Sequence, residues 1–226
     1  MNLSAAITKV KAMRAELLTT QDYEALCNRP NIANLPCLLQ ECTRISSYLY
    51  VKSLKDFVNF MANELTAGTT NWAFVLWPRL NMLDKREAMR RVLGMEIDLC
   101  NILWIYRLKR YYLMMGDTVY SYLMPAGYKL NFKETALLVN SSSIPVFMEM
   151  LTQGPYGEIF EDTNDLTEQR ISQAVKARFK TESHNSGIAM ICGFLYEKHL
   201  EIRNIRAIID GIKLGISPGE ILKRLH

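Results

Sequence analysis

Apolar residues in the last quarter of the chain fall at Leu195, Ile202, Ile205, Ile209, Ile212 and Ile216, and gaps of seven, three, four, three and four mark one face of a helix. A nearly parallel pattern lies upstream, in Glu96-Ile-Asp98-Leu-Cys-Asn101-Ile-Leu-Trp-Ile-Tyr106. A shift of 103 positions carries Asn101 onto Asn204, Asp98 onto Glu201, Leu99 onto Ile202, Ile102 onto Ile205, Tyr106 onto Ile209 and Leu113 onto Ile216. Only Lys109 against Ile212 breaks the apolar register. A second shift, of 112 positions, carries Leu26-Cys-Asn28 onto Leu138-Val-Asn140 and Leu39 onto Leu151. A repeat of this length exceeds solenoid periods and predicts two helical subdomains, residues 1–115 and 116–226.

Taken in order, the pattern predicts an amphipathic helix over 3–18, then a short helix through Leu26 capped by Thr19 with Asp22 three positions on. Asn28 to Asn31 is a turn, and helical periodicity resumes over 33–50 and 52–65. The aromatic run 72–77 is strand-like by composition, but among helices it is expected to be helical. Residues 80–93 and 96–114 are predicted as helices, with Gly94 a join or kink between them. A short piece around Tyr120 and Tyr122 follows. Asn131 with Glu134 has capping-box spacing and opens a helix through Val139. Ser143 caps the next, with Pro145 in its first turn, and this one runs to about Leu151. Gly154-Pro155-Tyr-Gly157 is a turn, 167–181 a charged helix and 188–199 a further helix. Ser217-Pro218-Gly-Glu220 combines cap, proline and acid in the order of a helix start. The expected class is all-α.

Composition adds little to this. Hydrophobic residues at 49% and charged residues at 22% are ordinary globular values. The net charge of +4 is too mild to suggest a nucleic-acid binder. Two basic clusters stand out: Arg90 and Arg91 with Lys85 and Arg86, and Arg107 with Lys109 and Arg110. Both lie among helical apolar positions, so they read first as solvated faces and next as partner-contact candidates. Five cysteines without a C-x-x-C pair fit reduced thiols in a cytosolic protein. No uncharged run approaches the length of a membrane span, and the start of the chain lacks a signal-peptide core.

Catalytic patterns are not found. There is no phosphate-cradling loop and no nucleophile elbow. His184, His199 and His226 have no ligand spacing, so no metal or cofactor is expected. His199 reads as a surface residue on a charged helix face. Asp98 with Asn101, and Glu201 with Asn204, share an i, i+3 relation. A catalytic carboxylate is conceivable there, but recurrence in both copies favours hydrogen-bonded contacts locking helix to helix.

The stretch Tyr196-Glu-Lys198-His-Leu-Glu201-Ile-Arg-Asn204-Ile-Arg-Ala-Ile-Ile-Asp-Gly211 resembles the closing motif of the C-subunit family of V-type (archaeal-type) ATPases, whose eukaryotic members are the d subunits. Glu96-Ile-Asp98-Leu-Cys-Asn101-Ile looks like that family's internal copy, and Lys9 to Leu18 with Asp22-Tyr23 like its first helix and turn. Gln153-Gly-Pro155-Tyr156 sits where members carry a short segment closing a subdomain. The resemblance implies a member shortened from three helical subdomains to two. It also implies a central-stalk protein without catalysis of its own, coupling the rotary shaft to the membrane rotor ring of a proton- or sodium-translocating ATPase. Its partners would be the other V-type ATPase subunits, and its place cytoplasmic and peripheral to the membrane. The alternative from the residues alone is a stand-alone helical adaptor that binds a partner helix in a groove.

Overall fold

The structure is a computed structural model that describes residues 3–15, 17–28, 86–114, 116–124, 127–161 and 166–226. The helices expected over 33–50, 52–65 and 72–77, the cysteines Cys37 and Cys42, and Lys85 of the first basic cluster lie outside the described residues. Among the described residues all regular structure is helical: α1 (Leu3–Arg14), α2 (Thr20–Cys27), α3 (Arg86–Tyr112), α4 (Gly116–Tyr120), α5 (Phe132–Val139), α6 (Ile144–Thr152), α7 (Gly157–Phe160), α8 (Glu168–Ser183), α9 (Gly187–Lys213) and α10 (Pro218–Leu222).

The chain divides into two compact units, one of Met1–Trp72 with Ser183–His226 and one of Ala73–Glu182. This division differs from the one at 115/116 drawn from the sequence. The physical reason lies in the long helices. α3 binds segments beyond residue 115, and α9 binds a segment from the start of the chain, as described below.

In the first unit, α1, α2 and α10 pack on α9. Leu26 and Cys27 of α2 meet Ile208 of α9 and Ile221 of α10 in a buried cluster, with Leu18, Ile212 and Ile216 around it. Burying each such side chain contributes about 1.5–3 kcal/mol, so this cluster holds two short helices, α2 and α10, that would not be stable alone. Gly211 permits the closest approach: a Cβ there would lie 2.7 Å from Ile221 Cγ1. Two residues past the end of α9 stands Gly215, whose φ of 69° suits glycine. The Ile216 N–H then bonds back to the Gly211 carbonyl at 2.9 Å, closing the last turn.

In the second unit, α5 and α6 pack on α3, α4 packs on α5, and α7 packs on α6. Met89, Val92, Leu93, Ile97, Leu99 and Ile102 of α3 are fully buried. α3 does not break at Gly94: it is one helix of 27 residues, about 40 Å long. Glycine costs about 1 kcal/mol in a helix interior, and burial of its apolar neighbours outweighs that. The predicted helix 188–199 likewise continues without a break into the terminal repeat helix, giving the 27 residues of α9. α7 begins on the last residue of the turn expected at Gly154-Pro155-Tyr-Gly157, where spacing carries no helix signal.

The internal repeat is visible element by element. α3 and α9 have 27 residues each, α2 and α5 eight each, α4 and α10 five each. α2 and α5 both open on complete capping boxes, Thr19 with Asp22 and Asn131 with Glu134. Both close on an asparagine, Asn28 and Asn140, whose N–H bonds carbonyls of the last turn. The order along the chain differs: α3–α4–α5 is continuous, whereas α9–α10 is completed by α2 from the other end of the sequence. One expected equivalence fails. Leu113, matched to half-buried Ile216, lies past the end of α3, exposed and with φ of 51°.

Candidate functional site

Each long helix carries its acid and amide on buried ground, and the two side chains reach different segments. Asn101 spans both backbone groups of Met124: its Oδ1 accepts from the Met124 N–H at 2.9 Å and its Nδ2 donates to the Met124 carbonyl at 3.1 Å. Asn204 does the same to His226, at 2.8 and 3.1 Å. A primary amide matches a peptide group donor to acceptor, which is why asparagine serves at both places.

The acids hold the segments that lead into the short capped helices. Asp98 accepts from the N–H groups of Tyr128 at 3.1 Å, Lys129 at 2.7 Å and Leu130 at 3.0 Å. The Tyr156 hydroxyl completes the set at 2.5 Å. Glu201 accepts from the N–H of Leu18, one residue before the cap of α2, at 3.0 Å. The shift of 112 that relates α2 to α5 carries Leu18 onto Leu130, so corresponding N–H groups meet corresponding acids. Lys198 pairs with the other Glu201 oxygen. The hydrogen-bonded contacts expected between helix and helix are thus made largely to the backbone of adjoining segments.

Burial pushes the Asp98 carboxyl above its usual range, against the pull of its hydroxyl and N–H donors. The same burial, with the carboxylate alongside, pushes the Tyr156 hydroxyl upward. Gly127 is what lets the backbone come this close, because a Cβ there would stand 2.4 Å from Asp98 Oδ1. These donors to Asp98 all come from its own unit, so the arrangement acts as a brace.

The basic candidates separate. Arg91 forms a two-pronged pair with buried Glu182, at 2.8 Å on both contacts. The Arg91 guanidinium, joined by Arg178 at 3.1 Å, holds the Glu182 carboxyl below its ordinary range. Arg107 pairs with Glu168 at 2.9 Å, tying α3 to α8. Lys109 donates to the carbonyls of Val139 and Ser141 at 2.6 and 2.8 Å, closing the C-terminal end of α5, and burial lowers its pKa. These three make their contacts within the second unit. Arg90 and Arg110 are exposed; Arg110 lies over the Tyr106 and Tyr111 rings at 5.4 and 5.8 Å.

Sequence spacing does not single out Tyr156, Lys198 or the Arg14–Glu197 pair, both of whose contacts are 2.6 Å, as side-chain partners. Lys198 at three positions from Glu201 carried a readable signal; Tyr156 and Arg14 are too distant in sequence for one. His199 departs from its surface assignment: its Nδ1 is closed off from solvent. Burial, with Arg203, Arg206 and His226 nearby, lowers it to about 4. Among the described residues no group of acids, histidines and cysteines has the arrangement of a metal site, and no helix is long and apolar enough to cross a membrane.

The described residues thus present two all-helical units, each with a long helix whose buried acid and amide brace neighbouring backbone. Residues 75–224 match the family model of the ATP synthase (C/AC39) subunit, and the chain belongs to that family. It is similar to the C subunit of the A-type ATP synthase of Methanosarcina barkeri, 25% identical over 147 residues. That match covers 61% of this chain and 39% of the relative, so the chain spans well under half of the relative's length. No solved structure matches.

Proposed function

We propose that the chain is a non-catalytic coupling component of an A/V-type ATPase, joining the rotary shaft to the membrane rotor ring and passing torque between them. The observation that carries this reading is the duplicated brace. A coupling element must deform little under load, and each helix of about 40 Å is pinned near its middle to backbone, not to mobile side-chain ends. A backbone anchor leaves few rotamers to yield. Membership of the ATP synthase (C/AC39) subunit family supports the same role.

In this reading the partners are the shaft and ring proteins, the transported ion is a proton or sodium, and the chain sits peripherally on the cytoplasmic side. The test is co-purification of a tagged chain with the shaft and ring proteins, identified by mass spectrometry. Recovery of the chain alone, under conditions that keep the rest of the complex assembled, would sink the proposal.

A further inference from the structure

At the C-terminal end of α3 three consecutive large side chains are exposed. Tyr111 is 63%, Tyr112 68% and Leu113 83% exposed. Trp104, also exposed, lies seven positions before Tyr111 and so shares its face. Leu113 holds a left-handed conformation, φ 51°, and the Met114 N–H turns back to the Leu108 carbonyl at 3.2 Å. Past the end of α9 the residue in that conformation is a glycine, Gly215. A side chain in that conformation is strained relative to glycine, and Leu113 is exposed, so little burial offsets the strain.

The charge beside this run, from Lys109 and Arg110, is positive. Arg110 has no carboxylate within ion-pair distance among the described residues; it rests on two tyrosine rings and bonds the Tyr106 hydroxyl. Among the described residues, Lys109 donates to the carbonyls of Val139 and Ser141. Tyrosine, tryptophan and arginine around an aliphatic anchor are the composition of an interface centre.

We infer that Trp104, Arg110, Tyr111, Tyr112 and Leu113 form a docking point for another protein of the same complex, recognised through a segment that sets acidic side chains around an apolar anchor. The inference rests on the coupling reading above and names the surface through which this chain is held. Leu113 supplies the apolar contact, the tyrosines wall it from water, and Arg110 pairs with the partner's acids as it moves off solvent.

The test uses the tagged full-length chain and its recovery with the other ATP synthase proteins. The variants are Tyr112→Ser with Leu113→Ser, Arg110→Glu, and Leu113→Gly, each checked for folding by circular dichroism and urea midpoint. Partner recovery is expected to fall at least tenfold in all three, while Leu113→Gly keeps or raises the urea midpoint. That split separates docking from folding, since a purely structural role would move recovery and midpoint together. Recovery of all variants at the wild-type level would overturn the docking point and leave the coupling reading standing. Failure of the wild-type chain to recover any partner would overturn both. Sedimentation of the isolated chain with phosphatidylglycerol vesicles, lost in the same variants, would assign the surface to lipid and also overturn it.

Discussion

The Tyr156 hydroxyl donates to Asp98 Oδ2 at 2.5 Å across 58 positions of sequence, and both groups are buried. This bond ties the segment after α6 to the middle of α3. A hydrogen bond to a charged group contributes about 1.5–3 kcal/mol. Tyr156→Phe is therefore expected to lower stability by about 2 kcal/mol, read from urea unfolding. Asp98→Asn turns an amide donor toward three N–H groups and is expected to cost more.

The same pair predicts an alkaline limit. Tyr156 is raised above its ordinary 10.0, so the unfolded chain loses that proton first as pH rises. The contribution is fully present below about pH 10 and declines above it. Unfolding free energy measured from about pH 9 to 11 should fall less steeply in Tyr156→Phe than in wild type. Equal slopes would show that the hydroxyl titrates normally.

On the acid side His199 sets a limit of opposite sign. Its folded value is lowered from 6.5 to about 4, so the unfolded state takes up the proton first. Stability is complete above about pH 6.5 and is lost as pH falls toward 4, by an amount on the order of 2–3 kcal/mol. His199→Gln should flatten the decline over that window. Chemical-shift titration of the histidines gives an independent check, since a midpoint near the ordinary 6.5 would contradict the burial argument.

The two asparagines should not be equal. Asn101 bonds buried Met124, whereas Asn204 bonds half-buried His226. Removing a partner from a buried peptide group costs about 1–3 kcal/mol, and water can replace a partner at a wetter site. Asn101→Ala is expected to destabilise by about 2–3 kcal/mol and Asn204→Ala by about 1 kcal/mol. A reversed order in thermal unfolding would count against the burial ranking.

Gly211 offers a test by rescue. A Cβ at that position would stand 2.7 Å from Ile221 Cγ1 and 2.8 Å from its Cδ1, closer than carbon atoms approach. Gly211→Ala is expected to cost about 2 kcal/mol through overpacking. Adding Ile221→Val removes the Cδ1 methyl and should recover part of that loss. A double-mutant cycle with no coupling between the two would reject the contact.

Much of the local structure was legible because its causes are local. The caps at Thr19, Asn131, Ser143 and Ser217 stand where the spacing put them. The recurrence of acid and amide marks both long helices without any tertiary information. Gly94 misled because propensity is a weak local term and burial of α3 is a tertiary one. Arg91, Arg107 and Lys109 looked like a solvated or partner-facing set because charge alone does not reveal which carboxylate or carbonyl folds back onto it.

What the sequence determined by itself is the all-helical class, the duplication and the pairs Asp98/Asn101 and Glu201/Asn204, since side-chain period and cap chemistry act within a few residues. Tertiary structure alone decided what those pairs hold: backbone of segments far away, with α2 completing the unit of α9 and Tyr156 closing over Asp98. Hydrogen bonds between distant positions leave no periodic trace in a single chain. They exist only once burial has removed the water that would otherwise compete for the same donors.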